Sequence, residues 1–381
     1  MKNTKKLLAL LLAVGMLFTA CGKAPSEEAK DAEVNPPQEQ QEEQQAEETG
    51  TRIVTDMGGR EVEIPVNVKS VHTTSPVGQD IMYTINPDKM AGWCSKLNER
   101  ELHFIDEKYH NLPVLGGNFG KGNKMNPEVV AAAAPDIILD MGKVDDNSAS
   151  SADKLQEQLG IPVLLVKTSA KDIDKCYEFL GDVLNEKEVC NKHAEYCRNV
   201  NEMVAANSAK LKDEDKVSVY YAETENGLAT DPSGSSHALV LDMIGCKNVA
   251  EVETSAGYGR ADVSPEQILK WNPDMIIICP EFGEGQRLYE KMASDNSEFW
   301  GDLEAVKNGN FYEVPVGPFN WFDRPPSINQ ILGLQWCGNL VYPELYNYDM
   351  KEVTKDFFAE FFHYELSDEE YDKLVVNSIK K

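Results

Sequence analysis

Short apolar runs alternate with longer amphipathic segments along most of this chain. The runs are bounded by glycine, proline or polar residues, which is the pattern of buried strands, and the segments between them have helical periodicity. Strands are predicted over residues 68–74, 90–94, 137–141, 162–166, 217–222, 275–279 and 311–314. This repeated order of strand, helix and strand predicts an α/β fold with mostly parallel sheets and helices on both faces.

Two segments depart from the alternation and indicate how the chain is divided. Residues 52–64, with Gly58 and Gly59 near their middle, predict a β-hairpin ahead of the first buried strand. The central part of the chain is helical in pattern, with a break near Asn185 and one long helix predicted over 187–210. The division that follows is an N-terminal α/β lobe at 51–170, a helical linker at 171–212 and a C-terminal α/β lobe at 213–381.

An internal repeat supports two similar lobes. Residues 126–139 align with residues 264–277 at a constant offset of 138. Each copy starts with a helix-capping residue (Asn126 or Ser264) followed by Pro-Glu, and each passes through Pro-Asp into an apolar run. The alternative is coincidence, since capped helix-to-strand turns are common in α/β folds. Shared ancestry predicts two Rossmann-like lobes joined by a single long helix, with a ligand cleft between the lobes.

The N-terminus carries an export signal. Three lysines precede an apolar run that ends at Leu17-Phe18-Thr19-Ala20-Cys21, so residues 1–20 are predicted to be a signal peptide. The ending resembles the bacterial lipobox, which implies lipidation of Cys21; the alternative is an ordinary signal peptide that ends near a cysteine. Residues 21–50 are acidic, rich in glutamine and poor in apolar side chains, and predict a disordered tether to the membrane.

Composition narrows the possible chemistry. The chain has 381 residues, a formal charge of −27 and 41% hydrophobic residues, so it builds substantial cores and excludes nucleic acid as a partner. Six scattered histidines and eight cysteines without a CxxC pair predict no protein-bound metal and no cofactor. The seven cysteines after Cys21 are expected to be mostly reduced thiols.

These features together resemble a known family. Its further marks are Thr55-Asp56-Met57-Gly58-Gly59-Arg60, Lys69-Ser70-Val71, Leu180-Gly181 and the segment from Trp321 to Ser327. The chain resembles the substrate-binding lipoproteins of ABC importers for ferric siderophores, haem and corrinoids, the class III periplasmic binding proteins. The resemblance implies a monomeric, extracytoplasmic, membrane-anchored binding protein that is not an enzyme.

It also implies a partner. In that family, one glutamate on each lobe docks the permease dimer, and the matching positions here are Glu128 and Glu266. The alternative is that both glutamates only complement the dipoles of their helices.

The cleft is expected at the loops that follow the carboxyl ends of the strands. The predicted ligand-binding residues in these loops are Thr74, Ser75, Trp93, Asn118, Phe119, Tyr258, Arg260, Trp321 and Arg324. Arg260 and Arg324 suit an anionic ligand, and Ser327 is expected to cap a helix that begins at Ile328. The alternative for Arg324 is an internal ion pair within a loop whose aromatic residues belong to the core.

The identity of the ligand stays open at this stage. A metal chelate containing iron or cobalt is preferred, and an oxyanion such as molybdate or tungstate is the alternative. His72 and His237 are candidates for ligating iron in a haem or chelate, although an isolated histidine is more often an ordinary loop residue. A lipid-anchored sensor or hydrolase is the alternative of another class, but Ser233, Ser235 and Ser236 beside His237 lack the Gly-x-Ser-x-Gly arrangement of a nucleophile.

Overall fold

The computed structural model describes residues 50–119, 123–253, 260–280 and 286–380. Residues 47–381 form one compact unit. The predicted signal peptide, Cys21, most of the tether and Tyr258 lie outside the described residues. No helix among the described residues is long and apolar enough to cross a lipid bilayer.

The N-terminal lobe contains a hairpin and a parallel three-stranded sheet. Its elements are β1 (Thr51–Thr55), β2 (Glu61–Pro65), β3 (Val71–Thr73), α1 (Pro76–Ile85), α2 (Glu99–His103), β4 (Asn118–Phe119), β5 (Asn123–Lys124), α3 (Pro127–Ala133), β6 (Ile137–Gly142), α4 (Asp146–Leu159) and β7 (Val163–Lys167). The sheet order is β3-β6-β7, and β1 pairs with β2 as the predicted hairpin. Strands β6 and β7 are mainly apolar because helices cover both faces of the sheet.

One predicted strand of this lobe does not form. Residues 90–94 make only isolated bridges, between Val71 and Met90 and between Trp93 and Val114. The backbone changes partner within the segment, since Ala91 donates to the Val71 carbonyl and Trp93 donates to the Pro113 carbonyl. A ladder with a single neighbour is therefore never established.

The predicted linker is present. It consists of α5 (Ile173–Leu184) and α6 (Lys187–Ser208). Asn185 separates them with φ of 59°, a left-handed conformation that asparagine tolerates and that ends a helix. The long helix begins at the predicted residue and ends two residues before the predicted one.

The C-terminal lobe has a parallel four-stranded sheet of order β10-β8-β12-β13. Its elements are β8 (Ser218–Ala222), β9 (Ala229–Thr230), α7 (Leu239–Ile244), β10 (Lys247–Asn248), β11 (Ala261–Asp262), α8 (Pro265–Trp271), β12 (Met275–Ile278), α9 (Leu288–Met292), α10 (Glu304–Lys307), β13 (Phe311–Glu313), α11 (Asn329–Val341), α12 (Met350–Phe362) and α13 (Asp368–Leu374).

The internal repeat occupies the same place in both sheets. Helices α3 and α8 each lead into a central strand, β6 or β12, and each central strand pairs with the first strand of its parallel sheet, β3 or β8. The aspartate of each Pro-Asp pair also accepts equivalent hydrogen bonds. Asp136 accepts hydrogen bonds from the backbone of Lys69 and Ser70, and Asp274 accepts two from Ser218, so each clamps the start of the first strand. The prediction of two α/β lobes with mostly parallel sheets is confirmed.

The last helices also connect the two lobes. Helix α12, predicted as part of the C-terminal lobe, packs against α1 and the end of α2. The ring of Phe362 lies 6.4 Å from Tyr83 on α1, and the ring of Phe358 lies 5.3 Å from Phe104, which directly follows α2. One large hydrophobic cluster runs from the N-terminal sheet through α5 and α6 into α11 and α12. The helix α6 is therefore not the only apolar connection between the lobes.

Candidate functional site

A cavity of about 740 Å³ lies between α2 of the N-terminal lobe and the carboxyl ends of the C-terminal strands. Its lining residues are Asn98, Glu99, Arg100, Glu101, Cys279, Pro280, Val316, Phe319, Asn320, Arg324 and Pro325. Cys279 directly follows β12, and Val316 lies just beyond β13. The predicted position of the cleft, outside the carboxyl ends of parallel strands, agrees with this cavity.

A second cavity of about 810 Å³ adjoins the first one. Glu99, Arg100, Pro280 and Val316 line both cavities. The second cavity extends from there to α13, so the two form a continuous groove that is wider than a single small ion requires.

Arg324 is the most highly constrained residue of the cleft. It has φ of 55°, a region that costs a non-glycine residue roughly 1–2 kcal/mol. Its guanidinium donates from Nε and Nη2 to Oε1 of Glu223 at 2.9 and 2.7 Å, and from Nη2 to Oδ2 of Asp231 at 3.0 Å. Burial alone would lower the pKa of Arg324, but the carboxylates of Asp323 and Glu223 outweigh burial and raise this pKa.

Arg260 shares the same carboxylate. Its Nε donates to Oε1 of Glu223 at 2.9 Å, so both arginines predicted for the site meet on one buried glutamate. Glu223 directly follows β8, and Asp231 directly follows β9, which explains why strand ends bring these charges together. Arg324 therefore forms the internal ion pair that the sequence offered as the alternative. About 28% of its side chain nevertheless stays exposed at the cleft.

A histidine and two aspartates lie next to this network. Asp231, His237 and Asp323 each place one possible metal-ligating atom within 4.8 Å of the other two. Nδ1 of His237 contacts Oδ1 of Asp323, and the hydroxyl of Ser235 donates to Asp231 at 2.7 Å. The serine is bonded to an aspartate and not to the imidazole, so this pair is not arranged as a nucleophile with its base.

The predicted residues of the N-terminal lobe gather at the ends of β3 and β6. Thr74 donates to Oδ1 of Asp140 at 2.5 Å, and its carbonyl accepts from the backbone of Asn118 at 2.8 Å. Ser75 caps α1 and donates to the Met141 carbonyl at 2.9 Å. Asn118 is exposed and Phe119 is half-buried. These contacts hold the loops in place and leave the side chains of Asn118 and Phe119 as the accessible groups.

The two predicted tryptophans belong to the core. Trp93 is 2% exposed, and its indole donates to the Tyr109 carbonyl at 2.9 Å. Trp321 is fully buried, and its indole donates to the Gly317 carbonyl at 2.9 Å. In this conformation neither tryptophan ring lines the first cavity. The aromatic residue among its lining residues is Phe319.

Ser327 does not cap the following helix. Helix α11 begins at Asn329 after Ile328, without a side-chain cap. The hydroxyl of Ser327 instead donates to Oδ2 of Asp80 on α1 at 2.9 Å, a buried link between the two lobes. The tertiary contact outcompetes the local one because Asp80 is buried and requires a donor.

Sequence reasoning missed Arg100, which reaches the cleft from the N-terminal lobe. It lies in α2, whose start is fixed by a capping box between Asn98 and Glu101. The capping box marks the helix, but nothing in the sequence indicates which residue of α2 faces the other lobe. The seven cysteines among the described residues are free thiols in this structure.

Glu128 and Glu266 occupy equivalent exposed positions in the first turns of α3 and α8. The backbone amide of Glu266 and the hydroxyl of Ser264 lower the pKa of Glu266, so its carboxylate stays charged. The two lobes therefore each present a carboxylate at the same turn of the repeated unit.

Comparison with known proteins places the chain among binding proteins. It is 21% identical over 339 residues to the molybdate-binding protein MolA of Haemophilus influenzae, covering 82% of this chain and 91% of that protein. It is 24% identical over 219 residues to the high-affinity heme uptake system protein IsdE of Staphylococcus aureus, covering 56% of this chain and 70% of that protein. Neither relative is an enzyme, in agreement with the prediction from the sequence.

A solved structure and a family model also indicate a solute-binding protein. The ABC transporter solute binding protein from Sulfurospirillum deleyianum superposes with a TM-score of 0.77 at 28% identity, covering 85% of this chain and 98% of that one. The family model described as periplasmic binding protein matches residues 101–316, more than half of the chain. This protein therefore belongs to the periplasmic binding protein family, as the solute-binding component of an ABC transporter.

Proposed function

We propose that this protein captures a metal chelate, namely a ferric siderophore, haem or a corrinoid, and delivers it to an ABC permease. The observation that carries the proposal is the cleft between the lobes, with a cavity of about 740 Å³ that continues into a second one of about 810 Å³. Cavities of about 300–1,000 Å³ suit organic ligands of drug size, whereas a tetrahedral oxyanion needs far less room.

The lining of the cleft supports an anionic ligand with apolar parts. Arg100 approaches from one lobe and Arg324 from the other, while Phe319 and Val316 supply apolar surface. Guanidinium groups bind carboxylates and similar anions through paired hydrogen bonds. A chelate that touches both arginines would hold the lobes together.

An oxyanion such as molybdate or tungstate is the second candidate. It is favoured by the similarity to the molybdate-binding protein of Haemophilus influenzae, which extends over 91% of that relative. The two arginines that meet on Glu223 supply guanidinium donors for such an ion. In this case the ligand would occupy only one end of the groove.

Calorimetry on the purified full-length chain distinguishes these ligands. We expect one equivalent of a ferric siderophore, haem or cobalamin to bind and to raise the melting temperature, with molybdate and tungstate producing no shift. Arg100→Gln and Arg324→Gln should each weaken binding at least tenfold, since each removes a charge-assisted hydrogen bond of roughly 1.5–3 kcal/mol. Arg52→Gln, in the hairpin away from the cleft, is the matched control. Binding of molybdate alone, or equal affinity in all three variants, would overturn the proposal.

We further propose that lipidated Cys21 and residues 21–50 tether the protein to the outer face of the cell membrane. We propose that it works as a monomer and that Glu128 and Glu266 dock the permease dimer. The exposed, equivalent positions of the two glutamates support docking, since two related lobes present a pseudo-twofold pair to a twofold partner. Substituting Cys21 with serine should release the protein from the membrane fraction.

A further inference from the structure

We infer that Asp231, His237 and Asp323 form a site for one divalent first-row transition-metal ion, bound directly by protein atoms. This inference goes beyond the proposed function, because it concerns the metal alone and not a chelate in the cleft. Asp231 and His237 lie in the loop between β9 and α7, and Asp323 lies in the segment before α11. Tertiary folding brings the ligand atoms of the three side chains within 4.8 Å of one another.

Burial and access both suit a metal site. Asp231 and Asp323 are fully buried, whereas the side chain of His237 is 22% exposed. The carboxylates are thus shielded from bulk water, and the imidazole edge gives an ion a route from solvent. One imidazole nitrogen with two carboxylate oxygens is a ligand set typical of zinc, cobalt, nickel or manganese.

Arg324 orients both carboxylates from the outer side. Its Nη2 donates to Oδ2 of Asp231 at 3.0 Å, and its Nε lies 3.2 Å from Oδ2 of Asp323. The other oxygen of each carboxylate, Oδ1, makes a different contact. Oδ1 of Asp323 contacts His237, and Oδ1 of Asp231 accepts a hydrogen bond from the rotatable hydroxyl of Ser235. Outer partners of this kind fix the direction of metal ligands and tune their affinity.

The two loops that carry the ligands are fastened to each other. The amide of Gln330 donates to the carbonyls of Ser236 and Phe322 at 3.2 and 3.0 Å, so it ties the His237 loop to the Asp323 loop. The side chain of Asn320 accepts from the backbone of Phe322 and Asp323 and closes the second loop. The ligand atoms are therefore held in position before any ion arrives.

The buried carboxylates of this network outnumber its guanidiniums. The described part of the network holds three buried carboxylates, those of Glu223, Asp231 and Asp323, against the guanidiniums of Arg260 and Arg324. Oε2 of Glu223 and Oδ2 of Asp323 are buried without a hydrogen bond. Buried carboxylates are costly away from water unless cations pair with them, and a bound ion would add such a partner.

Metal titration of the full-length chain, produced without a histidine tag, tests the inference. We expect calorimetry with Zn²⁺ to give one equivalent bound, and Co²⁺ to give visible absorption bands that arise from protein ligands. His237→Ala and Asp323→Asn should each weaken Zn²⁺ binding at least tenfold and abolish the Co²⁺ bands. His103→Ala is the matched control, because His103 also contacts a carboxylate, Glu370 at 2.9 Å, at a site away from this one.

Wild-type binding with an intact control and weakened variants would support the site. A wild-type chain that binds no Zn²⁺, or a His237→Ala variant that binds as tightly as wild type, would overturn it. If Asp323→Asn fails to fold, the test is decided by His237→Ala, which should fold because His237 is partly exposed. No chelate is present in this titration, so its failure leaves the proposed transport function untouched, and failure of chelate binding leaves the metal site untouched.

Discussion

His72 on β3 and His193 on α6 lie fully buried, and burial governs their ionisation. Burial lowers the pKa of each imidazole to about 4, although the Gly116 backbone opposes the shift at His72 and Glu360 opposes it at His193. A histidine in the unfolded chain has a pKa near 6.5. Each of these residues therefore makes the folded state sensitive to acid without belonging to the cleft.

The sign of this effect gives a first prediction. As the pH falls from 6.5 towards 4, the unfolded chain takes up a proton at His193 well before the folded chain does, so the free energy of unfolding decreases. One histidine with this shift contributes a loss of about 3 kcal/mol across that range. In His193→Leu, urea denaturation at pH 7.5 and pH 4.5 should show a loss smaller by about that amount.

The control for this prediction is His110→Leu, since His110 is only half-buried and bonds the Ile105 carbonyl near the surface. Its loss between the two pH values should match that of the wild type. An equal loss in wild type and His193→Leu would show that burial of His193 does not set the acid sensitivity.

At the scale of elements, helix α11 supports the segment that carries Arg324. Gly333 lets the two approach closely, because a Cβ at this position would lie 1.8 Å from the Trp321 carbonyl oxygen. That oxygen belongs to the backbone, so no side-chain rotation relieves the clash. The contact explains why this largely buried helix contains a glycine here.

Gly333→Ala should therefore lower the free energy of unfolding by about 2 kcal/mol or more, through overpacking. It should also weaken binding in the cleft, because the segment that shifts contains Arg324. Gly301→Ala is the matched control, since the close atom there is the hydroxyl of Ser297, which can rotate away. Equal stability of the two variants by urea denaturation would refute the tight contact.

Elements differ in how far the sequence specifies them. The linker helix and the repeated units α3-β6 and α8-β12 were predicted within a few residues, because caps, proline and apolar runs act locally. Residues 90–94 and Ser327 were predicted incorrectly, because their partners, Pro113 and Asp80, are distant in sequence or belong to the other lobe. The helix cap or strand ladder that the local sequence favours does not form where a distant residue bonds the same polar group.

On the scale of the whole molecule, the two lobes contain the same repeated helix-strand unit, and one hydrophobic cluster extends through both of them. The repetition places Glu128 and Glu266 at matching exposed turns. The proposed docking of a permease through these carboxylates would depend on both lobes at once, and neither glutamate lines the cleft. Transport and ligand binding should consequently be separable by mutation.

The double variant Glu128→Gln/Glu266→Gln should keep the melting temperature and ligand affinity of the wild type and lose uptake of the bound solute by cells. The loss follows from removing both charges that complement a cationic partner surface. Glu157→Gln, an exposed glutamate on α4, is the matched control and should support normal uptake. Undiminished uptake by the double variant would discard the docking assignment.

The sequence alone determined the class of fold, the two lobes and the linker helix, because periodicity, caps and an internal repeat depend on residues that are close in sequence. The resemblance of its motifs to a known family indicated the non-enzymatic binding role. It also singled out Arg260 and Arg324. Only the tertiary structure decided that both arginines share Glu223, that Trp93 and Trp321 lie in the core, and that Arg100 and Phe319 line the cleft. The grouping of Asp231, His237 and Asp323 is likewise tertiary, since distances between residues far apart in sequence arise only when strand ends and loops of the folded chain converge.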